Sequence, residues 1–477
     1  MERNTTTSVA NTTLIERRSI DYIPDAERHG NLFSQFTLWF GANLQVTAVV
    51  VGALAVVLGG DVFWSLIGLL IGQIIGGAVM ALHGAQGPQL GLPQMISSRV
   101  QFGVYGAIIP LVLVCVMYIG FSAGGTVLAG QAIAELLHTD HTTSILIFSA
   151  LLVLLTGLGY RIIHAMGRVS SVVGTLAFLY LFASLLHGHP LDALLANRHY
   201  TVASFLLAIS LSASWQIAYG PYVADYSRYL PKSTSALKTF FAVFSGTVIG
   251  AQVSMTFGVL AAALASERFS GHEVAFIVGL GATGAIAAAL YFTIALGKLT
   301  ITTLNAYGSV MSVAAIFTGF GGQREISART RLIFVLLIVA TSSGLALAGQ
   351  HSFLKAFSSF LLFLLVFFTP WSAINLVDYY WVTRERYDVP ALFDVNGRYG
   401  RWNVAGITVY AIGVLVQLPF VATGFYTGPW VDTLGGVDVS WVVGIVVSGI
   451  LYYAGSRLAR SHTPERLIVP DPMTDVD

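Results

Sequence analysis

The sequence predicts an all-α polytopic membrane protein with about twelve transmembrane helices, arranged as a five-plus-five inverted repeat with two extra C-terminal helices. Three observations carry that expectation. The 477 residues are 55% hydrophobic and only 10% charged, whereas a soluble domain carries roughly 25% charged residues. The mean hydropathy of +0.76 agrees. Apolar stretches of about 20 residues, enough to cross a bilayer, recur along the whole chain. Lysines and arginines fall on alternate turns between those stretches, as the positive-inside rule requires.

The expected spans lie at 35–59, 62–82, 103–136, 143–160, 165–187 and 203–224, then at 237–266, 283–317, 330–349, 353–377, 405–425 and 438–457. Residues 270–282 are only moderately apolar and read as a re-entrant or extracellular helix. Of the 24 lysines and arginines, all but four fall in the two tails and the even-numbered turns. The four are Arg198, Arg268 and Lys355 on the other side, and Lys298 within a span. This places both tails in the cytoplasm of a multi-pass protein of the cytoplasmic (plasma) membrane.

The organisation that follows is a cytoplasmic N-terminal tail at 1–32, a ten-helix inverted-repeat transport core at 33–377 and a cytoplasmic loop at 378–404. Two extra helices at 405–457 and a cytoplasmic C-terminal tail at 458–477 complete it. No apolar core precedes a small-residue cleavage site in the polar first thirty residues, so no cleavable signal peptide is expected.

Composition also excludes function classes. A net charge of +1 gives no electrostatic footprint for nucleic acid. One cysteine, Cys115, forms no internal disulfide, and no cysteine or histidine spacing suggests a resident metal. No paired His/Asp motif or Ser-His-Asp set points to an enzyme.

Transporters mark their sites by interrupted helices at matching positions of two inverted halves. The first span reads Leu38-Trp39-Phe40-Gly41-Ala42-Asn43-Leu44-Gln45-Val46, with two amides in hydrocarbon beside a glycine. The sixth contains Ser214-Trp215-Gln216-Ile217-Ala218-Tyr219-Gly220-Pro221. Pro221 lacks an N–H, so the Ile217 carbonyl loses its helical partner. If five spans form a repeat, the first and sixth are equivalent, and because five is odd the second copy is inverted. The plainer reading is that glycine and proline are common in membrane helices; the equivalent placement favours function.

The eighth span carries Lys298-Leu299-Thr300-Ile301-Thr302-Thr303-Leu304-Asn305. Membrane threonines often bond back to their own helix, but an intramembrane lysine and asparagine need partners or water. In the third span, Gly120, Ala123, Gly124 and Gly130 suit a packing face.

Several runs resemble the purine–cytosine permease branch of the nucleobase–cation symporter family. They are Phe40-Gly41-Ala42-Asn43-Leu44-Gln45-Val46, Gly87-Pro88-Gln89-Leu90-Gly91-Leu92-Pro93-Gln94-Met95 and Gln101-Phe102-Gly103. Gly159-Tyr160-Arg161 with His164, and Ala224-Asp225-Tyr226-Ser227-Arg228-Tyr229-Leu230-Pro231, are similar too. The resemblance runs from about Asn31 to Tyr380. It implies a LeuT-like fold, alternating access, and uptake driven by protons or sodium without an organic cofactor.

The resemblance also implies site residues. A substrate-stacking tryptophan of the family falls at Phe121, and an amide four positions later falls at Gly125, where this chain departs from the pattern. The sixth-span aromatic falls at Trp215 with Gln216 beside it, and an eighth-span asparagine motif is partly matched by Asn305 with Tyr307. The first-span contact falls at Gly41, Ala42 and Asn43, where backbone groups serve. The chemistry fits: a planar base stacks on aromatic rings for roughly 1–3 kcal/mol, and amides both donate to and accept from its edge.

Lys298 is a coupling candidate, as proton carrier or as a charge replacing sodium; it is equally readable as a snorkelling or structurally paired residue. Thr302 and Thr303 are the alternative, as oxygen ligands for sodium. Asp225 and Arg228 are gate candidates, or a plain cytoplasmic pair. Trp39, Trp64, Trp430 and Trp441 are expected in interfacial belts, and His83 and His164 at solvated cytoplasmic span ends.

The leading expectation is therefore a cation-coupled symporter importing a nucleobase such as cytosine or a purine. The alternatives are a transporter of another neutral heterocycle (a hydantoin, allantoin or a vitamin precursor), a passive channel, or a membrane-embedded enzyme.

Overall fold

A computed structural model describes residues 21–158, 160–196, 198–321, 327–458 and 463–470. Gly159 and the side chains of Tyr160, Arg161 and His164 lie outside the described residues.

The first span is a helix pair, α1 (Leu32–Asn43) and α2 (Val46–Val57), bent by 58° between them. Asn31 starts α1 with a capping box shared with Ser34. Then come α3 (Val62–Gly84), capped by Asp61, and three single-turn helices, α4 (Gly87–Leu90), α5 (Gln94–Ser97) and α6 (Arg99–Phe102). They are followed by α7 (Ile108–Leu137), α8 (His141–Leu158), α9 (Tyr160–Gly188) and the short α10 (Leu191–Leu195).

The second half mirrors this order. It opens with α11 (Val202–Ile217) and α12 (Gly220–Ser227), then α13 (Ala236–Leu264). Two short helices, α14 (Ser266–Phe269) and α15 (Glu273–Gly279), precede α16 (Gly284–Gly321), α17 (Ala328–Gly349) and α18 (Phe353–Val377). The last helices are α19 (Val404–Leu415) and α20 (Ser440–Leu458).

Among the described residues seven helices are long and apolar enough to cross a membrane, or eight if the bent α1–α2 pair is one span. One of the seven, 329–382, runs through two expected spans, and the shorter apolar helices His141–Thr156 and Val404–Phe420 match two more. The third helix begins at Ile108 rather than at 103, because the chain from 84 to 103 is taken up by α4 to α6.

The packing is that of an inverted repeat. α1 and α2 lie along α13, and α11 and α12 lie along α3. Exchanging the first five helical passages for the second five turns one contact into the other. α7 packs on α16, and α3 on α13, each pair mapping onto itself. Small residues permit the close approach: a Cβ on Gly68, Gly72 or Gly76 of α3 would run into backbone carbonyls of α11.

Three expectations about single residues are corrected here. Trp39 is 2% exposed, its ring set against Tyr219, Tyr222 and Tyr226 rather than at the lipid–water boundary. Trp441 is also buried and donates to Ser210 Oγ at 3.0 Å. His83 is fully buried and stacked on Trp371, ring centroids 4.7 Å apart. Hydropathy alone does not separate a tryptophan at the lipid boundary from one packed between helices.

Both ends of the described chain are tied to the helical body by backbone hydrogen bonds. His29 N and Gly30 N donate to the Tyr229 carbonyl at 3.0 and 2.9 Å, Lys232 N to Asp25 at 2.7 Å, and Ile23 N to Gly91 O at 2.9 Å. Near the other end, Ile468 pairs with the backbone around Asp388. The segment 378–404 is more than a solvated loop: Asp378, Tyr379, Tyr387, Val389 and Leu392 are buried. Asp378 accepts from Gln101 at 2.7 Å, Tyr387 at 2.8 Å and Tyr452 at 2.9 Å. These bonds supply the polar partners that a carboxylate needs inside a protein.

Candidate functional site at the two helix breaks

Between α1 and α2, Leu44 and Gln45 leave the helix, Gln45 adopting extended dihedrals. The break frees backbone groups, and nearby side chains take them up. Gln45 Nε2 donates to Ala42 O at 2.7 Å, and Ser254 Oγ to Asn43 O at 2.7 Å. Asn43, fully buried, donates from Nδ2 to Trp39 O at 2.7 Å and to Thr247 Oγ1 at 3.1 Å. Gly41 and Ala42 form the last turn of α1, with Gly41 exposed and Ala42 half-buried.

The second break is milder. Ala218 and Tyr219, between α11 and α12, keep right-handed helical dihedrals, and Pro221 sits in the first turn of α12.

The two breaks are joined through Trp215, whose indole Nε1 donates to Asn43 Oδ1 at 2.7 Å. Phe121, on α7, meets the Trp215 ring edge to face, centroids 5.7 Å apart at 88°. Phe357 and Phe360 of α18 also pack edge to face on Phe121. Tyr219 stands edge-on to Trp215 at 5.8 Å, and Tyr222 and Tyr118 continue the aromatic cluster.

Gln216 faces elsewhere. One residue on from Trp215 is about 100° around the helix. Gln216 Nε2 bonds Gln73 Oε1, and its Oε1 accepts from Thr247 Oγ1 at 2.6 Å. It therefore locks α11 to α3 and α13 and does not face the Phe121–Trp215 pair in this conformation. Asn305 is half-buried on α16.

The eighth-span candidates separate in the same way. Thr303 Oγ1 bonds back to Leu299 O at 2.6 Å, within its own helix. Lys298, 3% exposed, crosses to the first break: Nζ donates to Gln45 Oε1 at 2.9 Å and contacts Thr47 Oγ1. Gly125 lies beneath it. A Cβ there would stand 2.8 Å from Thr302 Oγ1 and 3.7 Å from Lys298 Cδ. Sequence reading treats Gly125 as a missing amide; in the fold its emptiness makes room for Thr302 and the Lys298 stem.

At the gate candidates, Asp225 Oδ1 accepts from Gln94 N at 2.8 Å, anchoring the Gly87–Met95 run. Arg228 donates from Nε to the Asp225 carbonyl at 3.2 Å and from NH1 to Asp21 O at 3.4 Å. Thr47, Gln73, Thr247, Tyr118 and Tyr219 are site neighbours that sequence reasoning passed over. Their one sequence signal is a hydroxyl or amide inside an apolar span, which single-helix bonding equally explains.

The chain is similar to known proteins over most of its length. The profile of a family described as permease for cytosine/purines, uracil, thiamine, allantoin matches residues 22–444. YxlA of Bacillus subtilis, provisionally named a purine–cytosine permease, is 39% identical over 442 residues, covering 92% of this chain and 95% of that protein. The purine–cytosine permease fcyB of Emericella nidulans is 24% identical over 471 residues, covering 92% and 87%. Among solved structures, the inward-facing conformation of Mhp1 superposes with a TM-score of 0.76 at 19% identity, covering 97% of this chain and 99% of that one. Mhp1 in a closed conformation with bromovinylhydantoin bound, described as a nucleobase–cation-symport-1 family transporter, gives 0.73 at 20% identity, covering 95% and 97%. The fold is therefore the LeuT-like inverted repeat. The chain belongs to the family of membrane permeases for cytosine/purines, uracil, thiamine and allantoin.

Proposed function

We propose that this protein is a cation-coupled symporter that imports a nucleobase such as cytosine or a purine across the cytoplasmic membrane by alternating access, with both tails in the cytoplasm. The observation that carries the reading is the Phe121–Trp215 pair at the junction of the two helix breaks, with Trp215 held by Asn43. Separation of these edge-to-face rings by a ring rotation opens a slot for a planar base, which stacks for roughly 1–3 kcal/mol. The α1 and α12 ends around the slot supply backbone groups, and Asn305 is the candidate amide for the base edge. Gln216 acts behind the site, fixing α11. Asp225 and Arg228 hold the inner segments together and release them when the inner side opens.

Competition uptake with labelled cytosine and labelled hypoxanthine against adenine, uracil, allantoin and a hydantoin tests this reading. A nucleobase should compete best and should drive counterflow from preloaded vesicles, which a passive channel does not show. A hydantoin or allantoin as the sole strong competitor would move the substrate class to the other neutral heterocycles.

A further inference from the structure

Lys298, in the middle of α16, stands at the break of the opposite helix pair with its ammonium on Gln45 Oε1 and Thr47 Oγ1. That position lies between the C-terminal end of α1, which carries negative potential, and the first turn of α2, where Gln45 and Thr47 present side-chain oxygens. Unwound segments and half-helix C-termini are where transporters of this architecture hold a coupling cation. We propose that the Lys298 ammonium is the resident cation of this seat, so that the coupling ion is the proton it carries and sodium is not required. The inference rests on the symporter reading above.

The geometry gives the cation a mechanical role. α1–α2 packs on α13, while α16 packs on α7 and α9. Lys298 therefore bridges the broken helix to the α7–α16 pair, two parts that must shift against each other in alternating access. With a proton on Nζ, the ammonium donates to both Gln45 and Thr47. When the N–H bond breaks and the proton passes to cytoplasmic water, the amine keeps the electron pair and its hold on the two oxygens weakens. Protonation from the outer side reforms the N–H bond and resets the bridge. Arginine in this place stays charged throughout and cannot run the cycle.

Among the described residues no carboxylate is a hydrogen-bond partner of Lys298, whose partners Gln45 and Thr47 are neutral dipoles, an expensive arrangement in a bilayer unless the charge does something. The segment Leu32–Val57 carries no titratable residue. On α7, the nearest are Tyr118 and Glu135, about 10 and 15 Å of helix rise from Gly125. On α16 they are Tyr291 and Tyr307, also about 10 Å or more along the axis. Tyr219, between α11 and α12, faces Gln45. α9, packed along α16, carries Arg161, His164 and Arg168, whose side chains lie outside the described residues. Gly125 completes the device, because a Cβ there would collide with Thr302 Oγ1 and rest against the lysine stem.

The purified chain in proteoliposomes decides the matter, with labelled cytosine and labelled hypoxanthine as probes. An inward proton gradient in choline medium should drive accumulation above equilibrium, and sodium at constant pH should change the rate less than twofold. Lys298→Ala and Lys298→Arg should lose proton-driven accumulation and keep counterflow. Uptake that needs sodium, or that a sodium gradient drives at equal pH, overturns the inference while leaving the symporter reading intact. Mere equilibration under both gradients, or normal proton-driven accumulation by Lys298→Ala, also overturns it. The wild-type arm stands even if a variant fails to fold. Absence of both uptake and counterflow for both probes overturns the symporter reading, and this inference with it.

Discussion

Trp215 and Asn43 are joined by a hydrogen bond of 2.7 Å from the indole nitrogen to the amide oxygen, linking the break of one repeat to the break of the other. Asn43 also holds Trp39 and Thr247, so one buried amide sets the indole against α1 and α13. The ring proposed to stack the substrate is thereby oriented before any substrate arrives.

Trp215→Ala should raise the half-saturating substrate concentration about ten- to hundred-fold, the equivalent of roughly 1–3 kcal/mol of lost stacking. Trp215→Phe keeps a ring but leaves the buried Asn43 oxygen without its donor, at a cost of about 1–3 kcal/mol. It should show a smaller change in affinity and a lower melting temperature. Concentration-dependent uptake, corrected for surface expression, and thermal unfolding in detergent separate the two. Normal affinity in Trp215→Ala would make Trp215 a packing residue.

Introducing an asparagine at Gly125 should harm the protein rather than restore an amide. Its Cβ alone would sit 2.8 Å from Thr302 Oγ1, and overpacking of this kind costs about 1–3 kcal/mol. Gly125→Asn should lower stability and transport, and the added change Thr302→Ala should recover part of the loss. A double-mutant cycle on thermal stability reads the coupling. Additive effects would show that the two positions do not meet.

Replacing Gln216 with leucine leaves Gln73 and Thr247 facing an apolar side chain. The expected effect is a destabilisation of about 1–3 kcal/mol, seen as a lower melting temperature, with the order of competing bases unchanged. A reordered competition panel at unchanged stability would instead make Gln216 a reader of the base edge.

Topology is open to direct labelling. Single cysteines at Thr139 and Asp432, introduced after replacing Cys115, should react with an impermeant reagent from outside. Cysteines at Ser327 and Asn396 should react only after permeabilisation. Reaction of the second pair in intact cells would invert the assignment, which rests on the one-sided distribution of lysine and arginine.

The sequence by itself determined the membrane class, the helix positions, the repeat and the family. Each is written in local terms: apolar length against bilayer thickness, basic residues against membrane sidedness, and glycine, proline and amides where a helix cannot continue. It also singled out Trp215 and Lys298 as chemically notable, since an indole beside a break or a lysine in hydrocarbon has few indifferent uses, while Phe121 came from the family resemblance. Only the tertiary structure decided their partners. That Trp215 bonds Asn43 while its neighbour Gln216 turns to Gln73, that Lys298 reaches Gln45, and that Gly125 is space and not loss, all depend on contacts between helices distant in the chain. A single helix permits several such pairings for each polar side chain. The close packing of α1–α2, α3, α7, α11, α13 and α16 leaves each of these side chains the partners described, because a buried polar group without one costs more than the alternatives.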